Sequence, residues 1–120
     1  MARHLILLLS SDAERRDAWQ RTTREAGHHA LTAHTLARAL FLLAKIRPSL
    51  VLADGMLEDG PVIHLLRHVR AVGPLARVII VVLGDVTTEE QEHIAADARS
   101  HVRPGDAPIG PIVDEFVAAA

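Results

Sequence analysis

The sequence predicts an α/β domain built on a five-stranded parallel sheet with helices over both faces. Three observations lead to that expectation. Short apolar runs recur without polar alternation, as expected for strands buried on both sides. Segments of helical length separate them, opened by capping residues and closed by Gly or Pro. Strand and helix alternate along the whole chain, which calls for βα units joined by right-handed crossovers.

The elements follow in order. His4 to Leu9 reads as a continuous apolar strand, broken by Ser10-Ser11-Asp12. Ser11 with Glu14 has the form of a capping box, opening a helix to Ala26 that Gly27 stops, with Trp19, Thr22, Thr23 and Ala26 as its inner stripe. His29 to Ala33 is a second strand. Thr35 caps a helix through Ile46, and Pro48 prevents its continuation. Leu50 to Ala53 is a third strand that delivers Asp54 at its C-terminal end. Pro61 sits at the first position of a third helix running to about Val72. Val78 to Leu83 is the strongest strand, and Gly84-Asp85-Val86 turns out of it. Thr87 with Glu90 forms another capping box, opening an acidic helix. Ser100 to Arg103 is the fifth strand, ended by Pro104, and Pro111 starts the last helix.

The second helix has little polar surface. Leu36, Leu40 and Leu43 define one face, while Ala37, Phe41, Leu42 and Ile46 leave only Arg38 and Lys45 as charged positions. Phe41 and Leu42 are therefore the expected interface residues, for a protein partner or for a homodimer.

Composition narrows the function. The chain has 120 residues, 49% of them apolar, and a formal charge of −2. This fits one domain spanning residues 1–120 and disfavours disorder and direct nucleic-acid binding. The apolar run at the start is too short for a signal peptide or a membrane span, so a soluble protein is expected. With no Cys, thiolate chemistry and Cys-based zinc sites are excluded, and a reducing cytoplasm is the simplest compartment. Charge is uneven: residues 1–50 hold eight Lys or Arg against four acids, residues 51–120 five against eleven. His64 and His68 have metal-ligand spacing on the third helix, yet no third ligand is evident, and they read as surface histidines. No GxGxxG or P-loop lysine is present.

Right-handed crossovers give a doubly wound, flavodoxin-like sheet, most simply in strand order 2-1-3-4-5. The C-terminal strand ends then converge on one rim, bringing Ser10, Ser11 and Asp12 together with Asp54, Gly84, Asp85 and Arg103. In such sheets that rim is where ligands bind and chemistry occurs, which singles out Asp54.

This constellation resembles the receiver domain of two-component response regulators. The resemblance rests on Ala26-Gly27-His28, on Arg47-Pro48-Ser49-Leu50-Val51-Leu52-Ala53-Asp54, on Leu65 to Ala71 and on Pro74 to Leu83, and it resumes at Arg103. It implies that Asp54 holds the phosphoacceptor position of a phosphorelay, supplied by a histidine kinase. It also implies where the sequence departs from the family. Ser10 and Ser11 replace the two metal-binding acids, Gly84 replaces the Ser or Thr that holds the phosphoryl group, Arg103 stands for the Lys, and Ser100 for the switch aromatic. Hydroxyls are weak substitutes for carboxylates around Mg2+, and Arg differs from Lys in hydrogen-bond geometry.

The expectation is a degenerate, pseudo-receiver module, not an enzyme and with no resident cofactor. It would act through protein contact, with Arg103 pairing Asp54 across the rim and no output domain following the last helix. Two alternatives differ in kind. One is a weakly active phosphoacceptor, with Asp12 and Asp85 joining Asp54 in a displaced Mg2+ site. The other is a small-ligand-binding domain of flavodoxin type.

Overall fold

A computed structural model describes residues 3–119. Its central sheet has five parallel strands, β1 (Leu5–Leu9), β2 (His29–Ala33), β3 (Leu50–Asp54), β4 (Ile79–Leu83) and β5 (Ser100–Arg103). Their order is β2-β1-β3-β4-β5, the expected doubly wound arrangement. The helices are α1 (Ala13–Glu25), α2 (Leu36–Leu43), α3 (Ile63–Ala71), α4 (Thr88–Ala95) and α5 (Ile109–Ala119). No described helix is long and apolar enough to cross a membrane.

Successive residues of the central strands point to opposite faces, and each set finds its own helical layer. Leu7, Leu9, Val51, Ala53, Ile80 and Val82 pack against α2, α3 and α4 through Leu36, Leu43, Leu66, Val69 and Ile94. Ile6, Leu8, Leu50, Leu52, Val81 and Leu83 pack against α1 and α5 through Trp19, Ile112, Val113 and Phe116. Most of these side chains are fully buried, each Val, Leu, Ile or Phe contributing roughly 1.5–3 kcal/mol relative to exposure. That two-sided burial is why the strands are uninterrupted apolar runs.

Register places the rim. Leu9 pairs with Ala53, Asp54 with Leu83, and Leu83 with Arg103, so the strand ends lie level and Ser10 emerges beside Asp54.

Local boundaries differ from expectation at four points. Asp12, not Ser11, caps α1, accepting from the Glu14 and Arg15 backbone N–H groups. α2 ends at Leu43 with Ala44 as its cap, three residues before Ile46. Pro61 does not open α3. It pairs with Met56 in a two-residue antiparallel ladder, after Gly60 turns the chain at φ 141°. α5 starts at Ile109, so Pro111 lies inside its first turn, where its missing N–H costs nothing. The Thr87–Glu90 capping box forms as expected, with both reciprocal bonds present.

Candidate functional site

Asp54 lies at the end of β3 and is only 9% exposed. A carboxylate that far from water requires partners, and both of its oxygens have one. Ser10 Oγ donates to Oδ2 at 2.5 Å, and Arg15 Nε donates to Oδ1 at 2.7 Å. Ser10 is fully buried. Arg15 comes from the first turn of α1, and its guanidinium lies 4.6 Å from the Trp19 ring centroid. The pairing of Arg15 with Trp19 four residues on is a cation–π contact that fixes where the charge points.

The expected Asp54–Arg103 pair is not formed. Arg103 Nη2 meets Glu115 Oε2 at 3.2 Å, Nη1 donates to the Val102 carbonyl, and the guanidinium lies over Phe116. β5 delivers Arg103 to the α5 side of the sheet, where these groups claim it. Sequence reasoning missed Arg15, although a charged residue one helical turn before the inner-stripe Trp19 was a readable signal.

Ser10 and Ser11 have structural roles. Ser10 holds Asp54. Ser11 Oγ donates to the His34 carbonyl at 2.6 Å and accepts from the Glu58 N–H at 2.9 Å, joining the loops after β1, β2 and β3. Asp59 completes the joint by accepting from the Leu36 and Ala37 N–H groups at the start of α2. Desolvation opposes the charge of Asp59, but these backbone N–H bonds outweigh it and hold its carboxyl below the ordinary value.

Gly84 and Asp85 both have left-handed backbone, at φ 70° and 51°. The Gly84 N–H is not available to a ligand, since it donates to the Arg103 carbonyl. A Cβ at Gly84 would lie 2.8 Å from Gly105 Cα, so a Ser or Thr fits there only if the loop after β5 shifts. The Gly55 position is tighter still: a Cβ there would lie 2.1 Å from the Gly84 carbonyl oxygen.

Asp12, Asp54 and Asp85 line one open cavity of about 540 Å³ with Arg15, Met56 and Asp106. They do not assemble a displaced metal site. Among the described residues no group of three acids or histidines is placed to hold a metal ion, which applies equally to His64 and His68. Asp12 is occupied as a cap and Asp54 by Ser10 and Arg15, so the residues at this rim do not fit a resident Mg2+.

Ser100 is buried in a polar clamp. Its hydroxyl donates to Asp97 Oδ2 and accepts from Arg70 Nη2, both at 3.0 Å. Arg70 Nε pairs directly with Asp97, and Nη1 donates to the Val78 and Ala76 carbonyls. Four elements are tied at one guanidinium: α3, the entry to β4, the end of α4 and β5. Desolvation works against the Asp97 charge, but Arg70, the Arg99 N–H and Ser100 together lower its pKa below the usual carboxylate value. Beside it, burial and then the Arg103 charge depress the pKa of His101, whose ring packs on Phe116.

The two proposed interface residues part company. Phe41 is 49% exposed, whereas Leu42 is partly buried and packs against the core beneath α2.

No protein-family model and no curated protein matches the chain. Solved structures do match over essentially its whole length. A response regulator receiver protein from Pseudomonas putida superposes with a TM-score of 0.86 at 23% identity, covering 100% of this chain and 99% of the other. The phosphorylated cyanobacterial phytochrome response regulator RcpA gives 0.86 at 18% identity, covering 99% and 97%. The receiver domain of a Pseudomonas aeruginosa sensor histidine kinase, solved with a magnesium ion in its active-site cleft, gives 0.82 at 16%, covering 98% and 97%. The chain therefore has the receiver fold.

Proposed function

We propose that this receiver-fold domain is a two-component-type signalling module that works by protein contact instead of phosphoryl uptake, with Arg15 as a fixed counter-ion for Asp54. The observation that supports this most directly is the 2.7 Å contact between Arg15 Nε and Asp54 Oδ1. In this reading the permanent guanidinium stands where a phosphoryl group would place new charge. An incoming phosphoryl donor has to compete with Arg15 for one Asp54 oxygen or with Ser10 for the other, and no group of three acids or histidines among the described residues is placed to position a divalent cation. The domain is then not an enzyme, and its partners are a histidine kinase or another signalling protein in the cytoplasm. The polar clamp at Ser100 supports the same reading, because a part-buried network tied to four elements resists rearrangement.

The second reading is a slow phosphoacceptor. It is favoured by the position of Asp54 at the mouth of an open cavity that admits a small phosphodonor.

Intact mass after incubation with acetyl phosphate and Mg2+ separates the two. The expected result is an unchanged mass for the wild type, with Trp19 emission unaffected by beryllofluoride. Stoichiometric gain of one phosphoryl group, lost in Asp54→Asn, overturns the contact-driven reading. Arg15→Ala should lower stability by about 2 kcal/mol at neutral pH, since it leaves a buried carboxylate with one hydroxyl partner.

A further inference from the structure

We propose that the domain self-associates head to tail, with α2 of one copy docking against α4 of the next. The outward stripe of α2 carries Phe41 between two cations. Arg38 lies 4.9 Å and Lys45 4.3 Å from its ring centroid, which holds the ring upright on the surface. Neither cation has an ion-pair partner among the described residues. From Thr35 to Arg47 there is no acid, and from Thr87 to Ala98 there is no Lys or Arg.

The outward stripe of α4 is the complement. Glu89 and Glu92 are exposed and have no ion-pair partner among the described residues, while Glu90 is engaged in the capping box. Beside Glu92, Ala95 and the following Ala96 are exposed and small, leaving room for an aromatic ring to approach the helix closely.

Topology places the two surfaces at opposite ends of one layer. α2, α3 and α4 cover the same face of the sheet, and β2 and β5 are its two edges. One flank of this layer is therefore basic and aromatic, the other acidic and shallow. Two different surfaces pairing make a heterologous contact, which adds copies head to tail instead of forming a two-fold dimer. In each contact Phe41 seats against Ala95 and Ala96, with Arg38 and Lys45 facing Glu89 and Glu92. Each helix has eight residues, so the buried area is small and the association weak and salt-sensitive.

The inference rests on the reading of the domain as a contact module and names a second copy as the partner. Sedimentation velocity tests it. For the wild type at low ionic strength, the average sedimentation coefficient should rise with concentration, and high salt should return it to the monomer value. Phe41→Ala should weaken association about tenfold. The double variants Arg38→Glu/Lys45→Glu and Glu89→Lys/Glu92→Lys should each remain monomeric, because both flanks of each then carry one sign. Mixed in equal amounts, they should co-assemble, since every contact again pairs opposite charges. A wild type that is monomeric throughout, or a mixture that stays monomeric while Trp19 emission shows both variants folded, overturns the proposal. Phosphoryl uptake measured on the same samples tests the contact-driven reading separately, so the two can fail independently.

Discussion

Gly55→Ala is expected to be the most damaging single-methyl change in the chain, lowering stability by roughly 3 kcal/mol. The added Cβ would stand 2.1 Å from the Gly84 carbonyl oxygen and 2.6 Å from that of Asp85, both backbone atoms that no rotamer change can move aside. The loops after β3 and β4 must separate to admit it. Those loops also define the Asp54 rim, so the amide resonances of Asp54, Gly84 and Asp85 should shift together. Chemical denaturation measures the energy. A midpoint within experimental error of wild type would show that the two loops are free to part.

Arg70→Met is expected to cost about as much, roughly 3 kcal/mol at neutral pH. Methionine keeps the aliphatic stem, so the loss comes from the donors serving Asp97, Ser100 and the Val78 and Ala76 carbonyls. Its acid side carries a signature. The folded-state pKa of Asp97 is depressed, so the stability it provides is present above the ordinary carboxylate pKa and disappears as pH falls through the folded value. Wild type should therefore lose stability more steeply than Arg70→Met below about pH 4, and the two curves should converge. Denaturation at a series of pH values checks this. Parallel curves would mean that Asp97 keeps its depressed pKa without Arg70.

The fold was legible because its strands are buried on both faces. Val78 to Leu83 and Leu50 to Ala53 have no polar alternation, and this pattern alone calls for helices above and below. The position of Asp54 followed from the same reasoning. What the residues did not disclose was its partner. Ser11 has the local form of a helix cap, but it is drawn to the His34 carbonyl and Glu58 N–H, which lie 23 and 47 residues away. That leaves Asp12 to cap α1 and Arg15 to reach the rim, a choice made by distant loops. The Arg70–Ser100 bond spans 30 residues and has no local signature at all. At the second helix, apolarity marked a surface needing explanation, yet only the folded chain separates the exposed Phe41 from the partly buried Leu42.

The joint at Ser11 and Asp59 has a kinetic consequence. The Glu58 amide hydrogen lies in the loop after β3 and those of Leu36 and Ala37 in the first turn of α2, and each is held by a side chain from a different segment. None can exchange with solvent unless the joint opens, so the three should exchange with deuterium through one shared opening event. Their protection factors should match in the wild type. In Ser11→Ala the Glu58 amide should lose its protection first, leaving the two at the start of α2 to report on Asp59 alone.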